Sequence, residues 1–408
     1  MKIENLIKNK ALPSFCTANI DVIKSIMIFC NFNKLPCLIE CTSNQVNQYG
    51  GYTNKTPKKF IKEIDQLRKK FNIKKNKLFL GADHMGPLPW KNNTSKVAIK
   101  NSIKLIETLL NENFCKIHID TSIRCNDDLI FNNDVIFSRT KEILEQAKIK
   151  KKIKNKFLIT GSEVPLSGSG DSRKNILTTT KHIKDDHEQL MKIFNKSQLL
   201  KNKIFGLVVE PGMKFMHHSI KKPDLQKFND KYLYSKKNNF VFEAHSTDYQ
   251  PYNILRKLVE NNFKFLKVGP ELTYNYSRSL FFMENIEKKL FTKNKSSIKN
   301  NIFKLMIKNK KYWISYYKTN KKKILLESKL DRMRYYLNDK KSIESINNLK
   351  KNINFIKFNE ILNYLSSDQK KEFLLYYKKK LSNFENIKMI FISQSLIRYY
   401  SACGYEIN

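Results

Sequence analysis

Seven short apolar runs in this chain stop abruptly on polar clusters, at 38–42, 78–84, 117–120, 157–163, 207–212, 240–245 and 265–270. Each has the length and make-up of a strand buried on both faces, with its hydrophilic residues at the carboxyl end. Residues 11–16 supply an eighth run, which Pro13 weakens. Segments of helical apolar spacing fill the intervals, at 20–29, 57–71, 97–110, 135–147, 177–194, 223–234 and 252–259. Alternating strands and helices require parallel strands joined by right-handed crossovers, and eight of them close more naturally than they lie flat. The expected fold is α/β, a TIM (β/α)8 barrel whose polar strand ends form one active face. An open doubly wound sheet is the competing arrangement, but no glycine-rich dinucleotide fingerprint follows the first run.

Beyond Leu272 the strand pattern ceases and helical spacing takes over, at 277–290, 302–317, 327–337, 343–351, 358–365, 367–379 and 387–400. A single core stops growing at roughly 250–300 residues. The 408 residues are therefore expected to divide into a barrel over 1–295 and a helical C-terminal extension over 296–408. Paired aromatics such as Tyr312-Trp313, Tyr335-Tyr336 and Tyr399-Tyr400 are expected to pack the extension onto the barrel.

A formal net charge of +40 invites a nucleic-acid partner. Of 77 basic residues only nine are Arg, however, and the lysines scatter over every helical segment instead of gathering on one. This describes a basic, solvated surface, and no specific nucleic acid is expected. Seven cysteines, at 16, 30, 37, 41, 115, 125 and 403, fit neither a CxxC metal motif nor a disulfide ladder, which points to a reducing cytoplasm. Charges interrupt the first residues too early for a signal peptide, and no apolar run nears the roughly 18 residues of a membrane span, so no membrane partner is expected.

The strand ends carry the candidate chemistry. Asp83 and His84 form the sharpest pair, a carboxylate for proton transfer beside an imidazole that can bind a divalent ion. His118 and Asp120 share one strand face, as do Glu243 and His245. His118, one pleat below the rim, fits a hydrogen-bonded core position better than a ligand. Glu163 and Glu210 end the fifth and sixth runs and could complete a mixed His/carboxylate site suited to Zn, Mn or Co. Either could instead cap its following turn through backbone N–H groups. Gly168-Ser169-Gly170 and Gly269-Pro270 could present N–H groups to a phosphate. No GxxxxGK[ST] loop is present, and no nucleotide is expected.

These same segments carry a family resemblance. Glu40-Cys41-Thr42-Ser43-Asn44-Gln45-Val46-Asn47-Gln48-Tyr49-Gly50-Gly51-Tyr52-Thr53, Gly81-Ala82-Asp83-His84-Met85-Gly86-Pro87, Lys116-Ile117-His118-Ile119-Asp120, Gly161-Ser162-Glu163-Val164-Pro165, Val208-Val209-Glu210-Pro211-Gly212, Glu243-Ala244-His245-Ser246-Thr247-Asp248-Tyr249-Gln250 and Leu266-Lys267-Val268-Gly269-Pro270 resemble the GatZ/KbaZ family. The match is collinear and runs on through Asp331-Arg332-Met333-Arg334-Tyr335-Tyr336. Family members are known as non-catalytic subunits of class II D-tagatose-1,6-bisphosphate aldolase and are also labelled tagatose-6-phosphate kinases.

The resemblance implies a TIM barrel with a helical extension that stabilises and activates a separate catalytic aldolase subunit in galactitol or N-acetylgalactosamine breakdown. Similarity to the catalytic class II aldolases implies proton transfer by Asp83, aided by Asp120, and a divalent metal, zinc first and manganese or cobalt as alternatives. His84 and His245 match two of its ligands. The third histidine should precede a Pro-Gly turn, and Gly206-Leu207-Val208-Val209 before Pro211-Gly212 has none, so His217, Glu163 or Glu210 would have to substitute. Glu40, Asn44, Gln45, His118, Glu243, Asp248 and Lys267 are expected to contact a sugar or sugar phosphate. The alternative to an accessory role is a metal-dependent aldolase or epimerase acting by itself on a ketohexose or its phosphate.

Overall fold

The computed structural model describes residues 2–112, 114–162, 177–197, 204–225, 228–317, 319–376 and 381–407. In chain order the strands are β1 (Leu12–Cys16), β2 (Cys37–Thr42), β3 (Leu78–Met85), β4 (Lys116–Ile119), β5 (Phe157–Thr160), β6 (Gly206–Val208), β7 (Lys214–Phe215), β8 (Ile220–Lys221), β9 (Val241–Ala244) and β10 (Phe263–Val268). Eight of them close a parallel barrel in the order β1-β10-β9-β6-β5-β4-β3-β2, while β7 and β8 form a separate antiparallel hairpin that the sequence pattern did not announce. The circle closes in register, with Leu12 opposite Phe265 and Phe15 opposite Val268. This is the expected TIM barrel, followed by helices.

Inward side chains alternate along each strand and stack in layers by height. The lowest layer is apolar: Leu12, Leu38, Phe79, Phe157, Val241 and Phe265 cluster there, joined by Ile3 and Ile7 of the helix Ile3–Ile7. One pleat higher the inward positions turn polar, with Ser14, Glu40, Lys116 and Glu243 all buried. Gly81 lies level with Glu40 and Lys116. A Cβ on Gly81 would stand 2.7 Å from Glu40 Oε1, so the missing side chain is what makes room for that carboxylate inside the barrel. Two residues further along come Asp83, His118 and Lys267, and the barrel mouth begins.

The last helix, Asn383–Ala402, lies against the helices Ile20–Phe32, Tyr252–Glu260 and Pro270–Leu290. The paired tyrosines bind it there: Tyr399 donates to Thr247 O at 2.8 Å and Tyr400 to Pro36 O at 2.6 Å. Helix Pro270–Leu290 starts earlier than its apolar spacing suggests, because Asp248 Oδ1 accepts from Gly269 N at 3.0 Å and Glu271 N at 2.8 Å. That cap comes from another strand end, which local sequence cannot reveal. The run 327–337, expected as one helix, is broken. Asp331 takes a left-handed φ of 48°, and Arg332–Tyr336 forms a 3₁₀ turn. No helix among the described residues is long and apolar enough to cross a membrane.

Asp331 secures this break by accepting a hydrogen bond from the Thr273 hydroxyl. Burial pushes its carboxyl up to about 7. A raised folded-state pKa means a contribution that is complete below the unfolded value, roughly 4, and is lost as pH rises through about 7. Asp331→Asn keeps the acceptor and suits the left-handed turn. It should match the parent near pH 4 and exceed it by about 1–3 kcal/mol at pH 8 in urea unfolding; a pH-independent difference would contradict this.

Candidate functional site

The lower polar layer is an ion triad. Fully buried Lys116 lies 2.7 Å from Glu40 Oε1 on β2 and 2.5 Å from Glu243 Oε2 on β9, spanning the barrel. The ring of Phe265 lies 5.0 Å from its ammonium. Burial opposes the charge, but Glu243 and Glu40 outweigh it and hold Lys116 above the usual lysine range. Glu243 stays well below the usual carboxylate range despite burial, through Lys116 and Lys267, whereas burial pushes Glu40 up.

The upper layer depends on a local irregularity. Neighbouring residues on a strand normally face opposite sides, yet Asp83 and His84 line the same cavity. Between Ala82 and Met85 the register of β3 on β4 shifts, and His84 adopts a left-handed φ of 48°. Ser43 donates to His84 O at 2.7 Å, fixing the kink. Gly86 completes it, since a Cβ there would lie 1.6 Å from Asp120 O.

The resulting contacts are dense. His84 Nδ1 meets Asp120 Oδ2 at 2.7 Å, and His118 Nδ1 meets Asp83 Oδ1 at 2.8 Å. Lys267, from β10, donates to Asp83 Oδ1 and lies 3.0 Å from both Glu243 Oε1 and His245 Nε2. Cys16 donates its thiol to Asp83 Oδ2 at 3.3 Å.

The neighbours fix the protonation states. Burial works against charge on Lys267, but Asp83, Glu243 and Glu40 hold it above the usual lysine range. Burial and then the Lys267 ammonium push His245 down to about 3, and burial lowers His118. Both imidazoles are neutral at neutral pH. His84 moves the other way: Asp83 and Asp120 outweigh burial and raise it. The layer therefore offers a cation at Lys267, an imidazole at His84 whose protonated form its neighbours favour, and carboxylate acceptors at Asp83 and Asp120 held below the usual range.

Asp83, His118, Glu243 and His245 each offer one ligand atom, all within 4.8 Å of one another, and so could hold a metal ion. Two imidazoles with two carboxylates suit zinc or manganese chemically. His118 Nε2 and His245 Nδ1 are buried without a hydrogen-bond partner among the described residues. The Lys267 ammonium, however, contacts three of these four side chains, and an ion could enter only after it withdraws.

Above the layer lies a cavity of about 180 Å³. Asp83, His84, His245 and Lys267 form its floor, Asn44, Gln45 and Asp248 belong to its wall, and Arg332, Arg334 and Tyr335 reach it from the 3₁₀ turn of the C-terminal segment. Of the residues expected to bind sugar, Asn44, Gln45, Asp248 and Lys267 line the cavity; Glu40, His118 and Glu243 lie beneath it as supports. Asp120 acts on His84 from behind. Glu210 stands apart from the four-residue donor set, its Oε1 accepting from Gly212 N at 2.8 Å and Met213 N at 3.0 Å. His217 Nδ1 faces Ser328 Oγ at 2.8 Å. Glu163 and Gly168-Ser169-Gly170 fall outside the described residues. The N–H groups after Gly269 are already taken by Asp248 and present no free phosphate cradle.

Sequence reasoning missed Lys116, Cys16 and the arginines. Lys116 had a signal, since Lys116, His118 and Asp120 share one strand parity. Arg332 and Arg334 lie in a segment that carries the family resemblance, but a helical reading of 327–337 does not direct them toward the barrel mouth.

A closed parallel barrel with buried histidines, carboxylates and a lysine beneath a cavity at its strand carboxyl ends is a TIM-barrel protein with a polar mouth. The family described as "D-tagatose-1,6-bisphosphate aldolase subunit GatZ/KbaZ-like" matches residues 2–404, and the chain belongs to that family. Its function is accordingly related to tagatose-bisphosphate aldolase. A crystal structure of a probable tagatose 6 phosphate kinase from Sinorhizobium meliloti 1021 is similar at 25% identity and a TM-score of 0.84, over 97% of this chain and 100% of that one. The glycerol-complexed fructuronate-tagaturonate epimerase UxaE from Cohnella laeviribosi shares the fold alone, at 10% identity and a TM-score of 0.52, over 97% of this chain and 82% of that one.

Lys116→Met leaves two buried carboxylates without their shared cation. Stability in urea should fall by about 3–5 kcal/mol, and adding Glu40→Gln should restore part of it. A loss under about 1 kcal/mol would show that the triad is not ionised as described.

Proposed function

We propose that this chain is the accessory subunit of a class II D-tagatose-1,6-bisphosphate aldolase, stabilising and activating a separate catalytic subunit in cytoplasmic breakdown of galactitol or N-acetylgalactosamine. One observation carries the reading: Lys267 Nζ sits among Asp83, Glu243 and His245, the side chains that would have to bind the metal. When bound, a divalent ion supplies Lewis-acid polarisation of the sugar carbonyl, and Asp83, His118, Glu243 and His245 would hold it. With its ammonium locked on carboxylates, Lys267 is also a poor Schiff-base nucleophile. What remains is recognition. Lys267 and His84 can donate to ligand oxygens, while Asn44, Gln45 and Asp248 can satisfy the hydroxyls of a polyol chain. The family description and the Sinorhizobium relative's name both concern phosphorylated tagatose, which supports a ketohexose phosphate as the ligand.

The unpartnered His118 Nε2 and His245 Nδ1 favour a second reading, a metal-dependent aldolase or epimerase that acts alone on the same sugar once Lys267 withdraws. Co-expression with a catalytic class II tagatose-bisphosphate aldolase separates the two. The accessory reading expects co-elution on gel filtration and a several-fold longer half-life of aldolase activity, with no conversion of the sugar by this chain alone in added zinc. Neither co-elution nor a change in half-life would overturn it, and zinc-dependent turnover by the chain alone would establish the second reading.

A further inference from the structure

We propose that Arg334, supported by Arg332 and Lys91, forms an anion subsite that takes the phosphate end of a sugar phosphate whose polyol chain lies on Lys267 and Asp83. The assignment rests on reading the cavity as a sugar-phosphate site. All five residues line the one cavity, the cations Arg332 and Arg334 coming from the C-terminal segment and Lys267 and Asp83 from the barrel.

The geometry around Arg334 is that of a charge held in place by neutral acceptors. Its Nη1 donates to Leu330 O at 2.9 Å and Asp331 O at 2.8 Å, and its Nη2 to Tyr335 Oη at 3.1 Å. These contacts orient the guanidinium without neutralising it, and no ion pair joins Arg334 to a carboxylate among the described residues. Asp331 is adjacent and its field favours the guanidinium, but its carboxyl, pushed up to about 7 by burial, accepts from Thr273 and makes no ion pair with Arg334. The same phenol oxygen of Tyr335 also receives Arg332 Nη1 at 3.2 Å. Burial should raise the Tyr335 phenol, yet Arg334 and Arg332 draw it below the usual tyrosine range.

Arg332 is fixed in plane by the Tyr316 ring, 3.2 Å from guanidinium to centroid, and Tyr335 stacks on Tyr312 at 4.7 Å. The left-handed turn at Asp331 directs this segment to the cavity. Composition sharpens the point. With 77 basic residues of which nine are Arg, 77 − 9 leaves 68 Lys, so lysine is this chain's default cation. Two guanidiniums two positions apart, Arg332 and Arg334, line one cavity and supply what lysine lacks, planar paired donors for a phosphate. The backbone alternative, the start of helix Pro270–Leu290, is closed by Asp248.

Calorimetric titration of the purified full chain with tagatose 6-phosphate, tagatose and inorganic phosphate tests the subsite. The phosphate ester should bind at least about 10-fold more tightly than the free sugar, with inorganic phosphate a weak competitor. Arg334→Met should weaken the ester about 10- to 100-fold and leave the free sugar unchanged. Lys91→Met, at an exposed position, should weaken the ester about 2- to 5-fold and decides the matter if Arg334→Met does not fold. Equal affinity for ester and free sugar, or equal losses for both in the variants, would overturn the proposal. Inorganic phosphate binding that the sugar moiety does not improve would overturn the sugar-phosphate assignment. Because aldolase half-life is read separately, loss of the accessory role with ester binding intact would leave the subsite standing.

Discussion

The Lys267 ammonium lies against Asp83 and 3.0 Å from Glu243, with Glu40 3.8 Å away, inside a barrel where an unpaired charge would cost several kcal/mol. Each of those partners needs its own support. Glu40 fits only because Gly81 has no side chain, and it shares Lys116 with Glu243. His84 turns inward beside Asp83 only because β3 bulges before Gly86. The apolar layer beneath, plugged by Ile3 and Ile7, keeps water from the underside of these ions. Loss of one member therefore strands the others, which makes the two polar layers a single structural unit.

That unit also decides what the barrel mouth can do. Burial and the Lys267 ammonium drive His245 to its neutral form, while Asp83 and Asp120 outweigh burial at His84 and raise it. Two histidines of similar depth are thus shifted in opposite directions by their immediate neighbours. The cavity is lined by His84, the Asp83 carboxylate and the Lys267 cation from the barrel, and by Arg332 and Arg334 from the C-terminal segment. Such an arrangement discriminates among polar ligands by hydrogen bonding more than by shape.

Much of this was legible in the residue order because barrel strands and their polar ends recur with a fixed period. The barrel was read that way, and Asp83, His84 and His245 were singled out at its strand ends. Other features escaped for identifiable reasons. The bulge that brings Asp83 and His84 to one side depends on a non-local fit between Gly86 and Asp120. The true start of helix Pro270–Leu290 depends on Asp248, more than twenty residues upstream. Spacing alone made 327–337 helical, whereas Asp331 breaks the segment and its arginines turn to the mouth. Glu210 could be read as ligand or turn cap from sequence, and its Oε1 is engaged with its own turn.

Anomalous diffraction at the zinc edge, from crystals of the wild-type chain grown with excess zinc, measures the central contact directly. With Lys267 as the resident cation, no anomalous peak should appear among Asp83, His118, Glu243 and His245, and lysine density should reach Asp83 and Glu243. A strong peak within bonding distance of those four side chains, with Lys267 swung away, would contradict the account.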